Sequence, residues 1–545
     1  MRYNDKRTIF KPLVANKFFM KKNILIIVLA LFINSCGQRG GIEIKVKEGT
    51  IINNITIISA NDEKVDSFLG FVVIEGEKII YVNKKKPLLS GNFKEINGRG
   101  KFIITGLMDS HVHLASTAGL NGKLKNKYPK LVDSYFEQLP RSYLYHGFTT
   151  LVDVNNYNPK LVDQIKKSPL HPDIYTCGNQ VQVMNDFEME MEEYSLESRF
   201  QSQFLHDKYN KKIVFPDSID LTKHTPEMLL STIKNQHGVG VKLVYEDEAS
   251  GLMVSWAKPT KNIIRDVVFE AKKQNLPVLI HAPSLEGHKV GLESGVEIFA
   301  HGMWNWTANF KEEFNNLKLK QKHKEILSKI AQKQLGYQLT FRTITGEEDL
   351  IKGNFSSDKN LLHVYPKTLL NILKTEEGDW GRNKILGRGA YLKKTNPSFY
   401  NSMRSNYNED IEMWSSVYKL YKSRLNTVAK FLFKQNANFI FGSDTPAMNM
   451  FTNPPGYNGF LEMKHMFDAG ISLEKIFRAT TYNNAKAFRL EALYGGVEKG
   501  KKANLLILKA NPLYNINAYN DIEFVIIGGK LIPREKLSAT NTVYN

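Results

Sequence analysis

The chain has 545 residues, 42% hydrophobic and 24% charged, which is ample for a globular core and excludes a disordered or fibrous protein. The formal net charge of +19 raises the question of a nucleic-acid partner. The lysines are spread along the whole chain, however, and the clusters at Lys84–Lys86 and Lys499–Lys502 carry no interleaved aromatic residues, so no nucleic-acid partner is expected.

At the N-terminus Lys21 and Lys22 precede an apolar run from Ile24 to Ile33 and then Asn34-Ser35-Cys36-Gly37. A charged segment, a short apolar stretch and a small residue at the cut form an export signal, too short for a spanning helix. Ile33-Asn34-Ser35-Cys36 resembles the lipobox of bacterial lipoproteins, which implies lipid attachment at Cys36 and a place on the bacterial cell envelope, facing the periplasm or the outer surface. Residues 1–36 are therefore expected to be a signal segment, with Met20 a candidate true start. If Cys36 carries lipid, Cys177 has no intrachain partner and the fold cannot depend on disulfides.

Residues 42–101 read as short strands separated by turn residues such as Asn53-Asn54 and Glu75-Gly76, the first half of a small β-sandwich. Its second half is expected in 490–545, from Asn504–Leu508 and Phe524–Ile532. Between them, 102–489 alternates apolar runs with helical patterns, as βα units do. Eight candidate strands, Phe102–Met108, Phe148–Val154, Ile174–Val183, Val239–Tyr245, Leu276–His281, Glu297–His301, Tyr337–Arg342 and Asn438–Ser443, predict an α/β fold, a (β/α)8 TIM barrel whose active site lies at the C-terminal strand ends. Helices are expected at Lys261–Asn275 and Asp410–Gln435. Insertions at 183–235 and 345–408 are candidate lids or substrate walls.

His111 and His113, two apart at the end of the first run, can aim two imidazoles at one metal ion. Lys242 interrupts an apolar strand, and His281, His301 and Asp444 each finish one. Each has an ordinary alternative: a salt-bridged lysine, a capping histidine, an aspartate at a turn. Together, at the mouth of one barrel, they point to a polar centre.

These six residues, together with the segments Phe102–His113 ("FIITGLMDSHVH"), Gly147–Asp153, Gly295–Gly302 and Gly496–Pro512, resemble the amidohydrolase superfamily. The resemblance is to members with two metals bridged by a carboxylated lysine, near the imidazolonepropionase-like and Xaa-Pro-dipeptidase-like group. It implies that His111, His113 and Asp444 hold one divalent ion, His281 and His301 the other, and that a carbon dioxide-derived carbamate on Lys242 joins them. Imidazole and carboxylate donors suit zinc, with manganese, cobalt or iron as alternatives. The implied reaction is hydrolysis of a C–N amide-type bond in a small substrate such as a dipeptide or N-acyl amino acid, through a metal-bridging hydroxide with Asp444 as proton shuttle. A cyclic amidase or lactonase on the same centre, and a lipoprotein that captures a ligand without turnover, stay open. The segment after Asp153 and the two insertions depart from the usual pattern, which leaves the substrate open. For substrate contacts, Arg342 is a candidate carboxylate fork or a structural arginine. Tyr245 is a candidate carbonyl polariser or a core residue, and Trp304 and Trp306 are candidate pocket walls or packing residues.

Overall fold

A computed structural model describes residues 42–187, 189, 203–247, 256–306, 316–446 and 450–542. Cys36, the expected lipidation site, lies outside them. The chain divides into two compact units. In the smaller, 1–45 with 87–90, the described residues are strand ends, tied by the Leu88 N–H to the Ile42 carbonyl at 3.0 Å.

Apart from those strand ends, two strand systems belong to the larger unit. The first is an eight-stranded sheet drawn from both ends of the chain. It comprises β1 (Glu43–Ala60), β2 (Val65–Glu75), β3 (Lys78–Asn83), β4 (Leu88–Asn97) and β5 (Phe102–Thr105), with three strands from beyond residue 500. β5 runs parallel to β1 and antiparallel to the Leu505–Leu508 strand, so it is the seam between the two ends. The strands expected as halves of a sandwich thus share one hydrogen-bonded sheet. Ile57, Val72, Ile103, Leu505 and Ile526 pack on one another as its core.

The second system carries the site. Its strands are β6 (Leu107–Val112), β7 (Phe148–Asp153), β8 (Asp173–Thr176), β9 (Val241–Val244), β10 (Val278–His281), β11 (Ile298–Phe299) and β12 (Gly336–Tyr337). β6, β7 and β8 pair in parallel, as do β9, β10, β11 and β12. Parallel bridges join the two groups: Val181 to Leu243, Tyr337 to Phe439, and Val112 to Thr445. The Ser110 N–H donates to the Phe441 carbonyl at 3.1 Å and the Asp444 N–H to the His111 carbonyl at 2.9 Å. The pairings therefore run head to tail through the extended 439–445 segment and back to β6, with helices between successive strands. This is a TIM-barrel-type α/β arrangement. The sheet beyond it is completed by β13 (Leu505–Leu508), β14 (Ile522–Ile527) and β15 (Lys530–Pro533).

Alternation along the strands separates the two sides of the ring. Leu279 faces an interior cluster with Met108, Val152, Ile298 and Ile440, while Val278 and Ile280 join the core under the helices. Each fully buried aliphatic side chain of this kind contributes roughly 1.5–3 kcal/mol.

The boundaries differ from the sequence expectation in two places. The run Phe102–Met108 is cut at Gly106, whose N–H donates to the Asn504 carbonyl at 2.7 Å, so Phe102–Thr105 belongs to the sheet and the ring begins at Leu107. A Cβ on residue 106 would lie 1.9 Å from Thr149 Oγ1. The seventh strand stops at Tyr337, because Thr340 turns into the left-handed region (φ 47°) and the helix Phe341–Lys352 begins. The 345–408 insertion is largely helical, including Lys367–Leu373, Trp380–Thr395 and Pro397–Arg404. It reaches the loop after His113 through Trp380, whose Nε1–H donates to the Gly119 carbonyl at 2.9 Å.

Candidate metal centre

Six side chains meet at the carboxyl ends of the ring strands. His113 Nε2 lies 2.9 Å from Asp444 Oδ1, and His111 Nε2 lies 3.3 Å from the same oxygen. One ligand atom from each of these three residues falls within 4.8 Å of the others. The separations suit donors arranged about 2.0–2.2 Å from one divalent cation. Lys242 Nζ is 3.1 Å from His111 Nε2. The His301 ring centroid is 5.1 Å from that of His111, and the His281 centroid is 4.5 Å from that of His301. Imidazole and carboxylate donors of this kind fit a borderline divalent ion at the His111–His113–Asp444 cluster.

Surrounding groups fix the approach of each side chain. His111 Nδ1 donates to Gln338 Oε1 at 3.0 Å, and Gln338 Nε2 donates to Ser110 Oγ at 2.9 Å, which orients the amide. With Nδ1 carrying the hydrogen, Nε2 keeps its lone pair for the centre. Gly442 makes this possible: a Cβ there would lie 2.5 Å from His111 Cβ and 2.8 Å from Gln338 Nε2. His301 Nδ1 lies 2.9 Å from Thr340 Oγ1, so the strained backbone at Thr340 puts a hydroxyl behind that ring. His281 Nε2 is 2.8 Å from Glu246 Oε2.

Asp444 also sits at positive φ (55°), at a bend held from below by Asp109. Asp109 Oδ1 accepts the Ser443 N–H at 3.0 Å and the His111 N–H at 3.2 Å, and its Oδ2 accepts the Ser443 hydroxyl. Thr343 Oγ1 donates to Asp444 Oδ2 at 3.0 Å. Asn484 clamps the two segments that carry His111 and Asp444, donating to the Met108 and Phe441 carbonyls and accepting the Phe441 N–H.

Ionisation follows burial and neighbours. Burial, followed by the Lys242 charge, holds His111 well below its ordinary value. Burial and the nearby His281 do the same for His301. Both rings thus stay neutral, as metal ligands must. Burial also opposes a charged His113, but the hydrogen bond and charge of Asp444 outweigh it and leave His113 raised. Burial works against the Asp444 carboxylate, yet the imidazoles of His111 and His113 hold it well below the usual carboxylate range. Asp109 is pushed by burial to about 7 despite its Ser443 hydrogen bonds.

Two substrate-contact candidates are placed elsewhere. Arg342 lies in a helix, 2% exposed, with its guanidinium engaged by Asn458 Oδ1 (2.7 Å), Asp349 Oδ2 (2.7 Å), Thr345 Oγ1 and the Thr452 carbonyl. It ties the start of the insertion to the 452–458 segment and offers no fork to a substrate. Tyr245 is three residues from Lys242 and therefore on the opposite side of the strand. It packs toward the helix Leu285–Ser294, where a Cβ on Gly287 would touch its ring at 3.2 Å. Trp304 stays beside the centre, its ring 5.5 Å from His301 and edge-on to it. Trp306 is core, its Nε1–H donating to the Met303 carbonyl at 3.0 Å. Gln338, Thr340 and Glu246, which touch His111, His301 and His281, and Thr343, which touches Asp444, are tied to these residues by no spacing that the sequence shows.

Residues 419–532, which include Asp444, match the amidohydrolase family. No curated protein matches the chain. Solved structures share its fold. A Xaa-Pro dipeptidase with methionine bound in its active site superposes with a TM-score of 0.57 at 18% identity, over 89% of this chain and 100% of that one. Ochratoxinase from A. niger gives 0.56 at 15% identity, over 89% and 96%. Phenylurea hydrolase B gives 0.56 at 16%, over 91% and 99%. The family match is confined to the segment around Asp444, and the fold is shared over nine-tenths of the chain.

Proposed function

We propose that the protein is a metal-dependent hydrolase that cleaves an amide-type C–N bond of a small substrate such as a dipeptide or N-acyl amino acid. The observation that carries this reading is the His111–His113–Asp444 cluster, with Lys242, His281 and His301 beside it at the mouth of a TIM-barrel-type fold. The substrate class is supported by relatives in fold named as a Xaa-Pro dipeptidase, a prolidase complexed with N-methylphosphonate-L-proline, and a molinate hydrolase.

His111, His113 and Asp444 would hold one divalent ion, and His281 and His301 the second. Lys242 would join them after its free amine adds to carbon dioxide and releases a proton, giving a carbamate with two donor oxygens. Bound ions of this kind, with zinc as the proposed metal, polarise a carbonyl and bring the ionisation of water to near pH ~7. Asp444, whose Oδ1 lies among the imidazoles and whose Oδ2 is held by Thr343, would take a proton from the attacking water and deliver it to the leaving nitrogen. Trp304, whose ring lies 5.5 Å from that of His301, would wall the substrate pocket.

The test is turnover of dipeptide, N-acyl amino acid, cyclic amide and lactone panels by protein reconstituted with zinc. Release of amine from the acyclic panel supports the reading. Ring opening alone identifies a cyclic amidase or lactonase, and saturable binding without product refutes an enzyme. We further propose lipid attachment at Cys36 and an envelope location. Wild-type protein in the membrane fraction and Cys36→Ala in the soluble fraction is the expected result.

A further inference from the structure

We propose that Glu246 is a positioning residue that selects which nitrogen of His281 faces the centre. The inference rests on the two-metal reading above. Glu246 follows β9 four residues after Lys242, is 5% exposed, and puts Oε2 2.8 Å from His281 Nε2. An ionised carboxylate only accepts hydrogen bonds, so Nε2 carries the hydrogen and the lone pair of His281 is at Nδ1. This is opposite to His111, whose Nδ1–H goes to Gln338 and whose Nε2 accepts from Lys242 Nζ. The two rings thus approach the centre through different atoms.

The carboxylate is held on both sides. The Tyr245 N–H donates to the His281 carbonyl at 2.8 Å, which fixes the backbone just before Glu246 to the strand that carries the ring. Asp247, just after it, accepts the Ser284 hydroxyl at 2.6 Å, and Ser284 caps the helix Leu285–Ser294 by accepting the Gly287 N–H at 2.9 Å. Glu246 therefore moves only if the β10 end and the following helix move with it. A buried carboxylate needs compensation, to which the imidazole N–H contributes and a bound dication would add. A carboxylate behind a ligating histidine also raises the basicity of the ring, and its loss costs about 10–100-fold in metal affinity.

The experiment measures zinc stoichiometry and affinity on the full chain, by competition with a chromophoric chelator, for wild type, Glu246→Gln and Glu246→Met. Selective histidine 15N spectra of the metal-free proteins report the tautomer. Glutamine keeps an acceptor oxygen at nearly the same place, so two ions and the Nε2–H tautomer are expected to persist with little change. Methionine matches the length but accepts poorly, so the second ion should bind ~10–100-fold more weakly while the first is unchanged. Two ions held as tightly in Glu246→Met as in wild type would overturn the inference. So would a glutamine variant that loses as much as His281→Ala, which also decides the matter if the methionine variant does not fold. A wild type that binds fewer than two ions instead overturns the two-metal reading itself.

Discussion

Gly442→Ala tests whether the ring of contacts around His111 is as tight as the structure shows. The new Cβ would sit 2.5 Å from His111 Cβ and 2.8–2.9 Å from the Gln338 amide, against ordinary contacts of about 3.5–4.0 Å. His111 and Gln338 are both fully buried, and each is tied onward, to Asp444 and Ser110. Neither can yield alone, so the pair must shift by about 1 Å, a displacement that close-packed interiors transmit and do not absorb. Overpacking of this kind costs about 1–3 kcal/mol of stability. The same displacement of a ligating imidazole lowers turnover by about 10²-fold. The control is Gly387→Ala, within the helix Trp380–Thr395, where an added Cβ meets nothing within 4 Å and should stabilise by up to about 1 kcal/mol. Thermal unfolding, zinc content and amide turnover of both variants are the assay. A Gly442→Ala protein that melts, binds zinc and turns over like the wild type would refute the reasoning.

The other predictions can be checked with the same preparations. Lys242→Ala should lose metal and activity, with partial rescue by short carboxylic acids that stand in for the carbamate; two ions retained per chain would count against the bridge. Chelation should abolish turnover and lower the melting temperature, because ions that bind only the folded chain stabilise it by mass action. Arg342→Ala leaves Asn458, the Thr452 carbonyl and part of Asp349 without their donor, so stability should fall by about 3–5 kcal/mol. KM values for substrates with and without a carboxylate should change alike in that variant, whereas a selective loss for carboxylates would restore Arg342 as a substrate fork. Burial raises Glu462 from an ordinary 4.5 to about 8. The unfolded chain then holds fewer protons than the folded one between those values, so stability falls as pH rises through that window. Chemical denaturation of Glu462→Gln should show a flatter pH dependence and greater stability at pH 8; equal slopes would refute the assignment.

The α/β character of this fold was legible in the alternation of apolar runs with helical patterns, and the His111–His113–Asp444 cluster in polar residues at the ends of such runs. Boundaries were less visible, for physical reasons. The run from Phe102 to Met108 is apolar apart from Thr105 and Gly106, and Thr149 and Asn504, distant in the chain, cut it at Gly106. Two-residue strands such as Gly336–Tyr337 are too short to show a period. Of the two readings open for Tyr245, its packing against the helix Leu285–Ser294 accords with the core one. Arg342 was read as the end of a strand, and its burial depends on Asn458 and Thr452, which no local pattern links to it. Glu246 and Gln338 sit behind histidines that lie 35 and 227 residues away.

The seam at β5 has a consequence for biogenesis. Ile103 and Ile104 are flanked on one side by residues translated before them and on the other by Leu506 and Ile507, which leave the ribosome about 400 residues later. Until then β5 presents an unpaired apolar edge, open to a wrong neighbour strand. A nascent chain must therefore keep that edge shielded through nearly its whole synthesis, and a polypeptide that stops short of residue 505 never covers it.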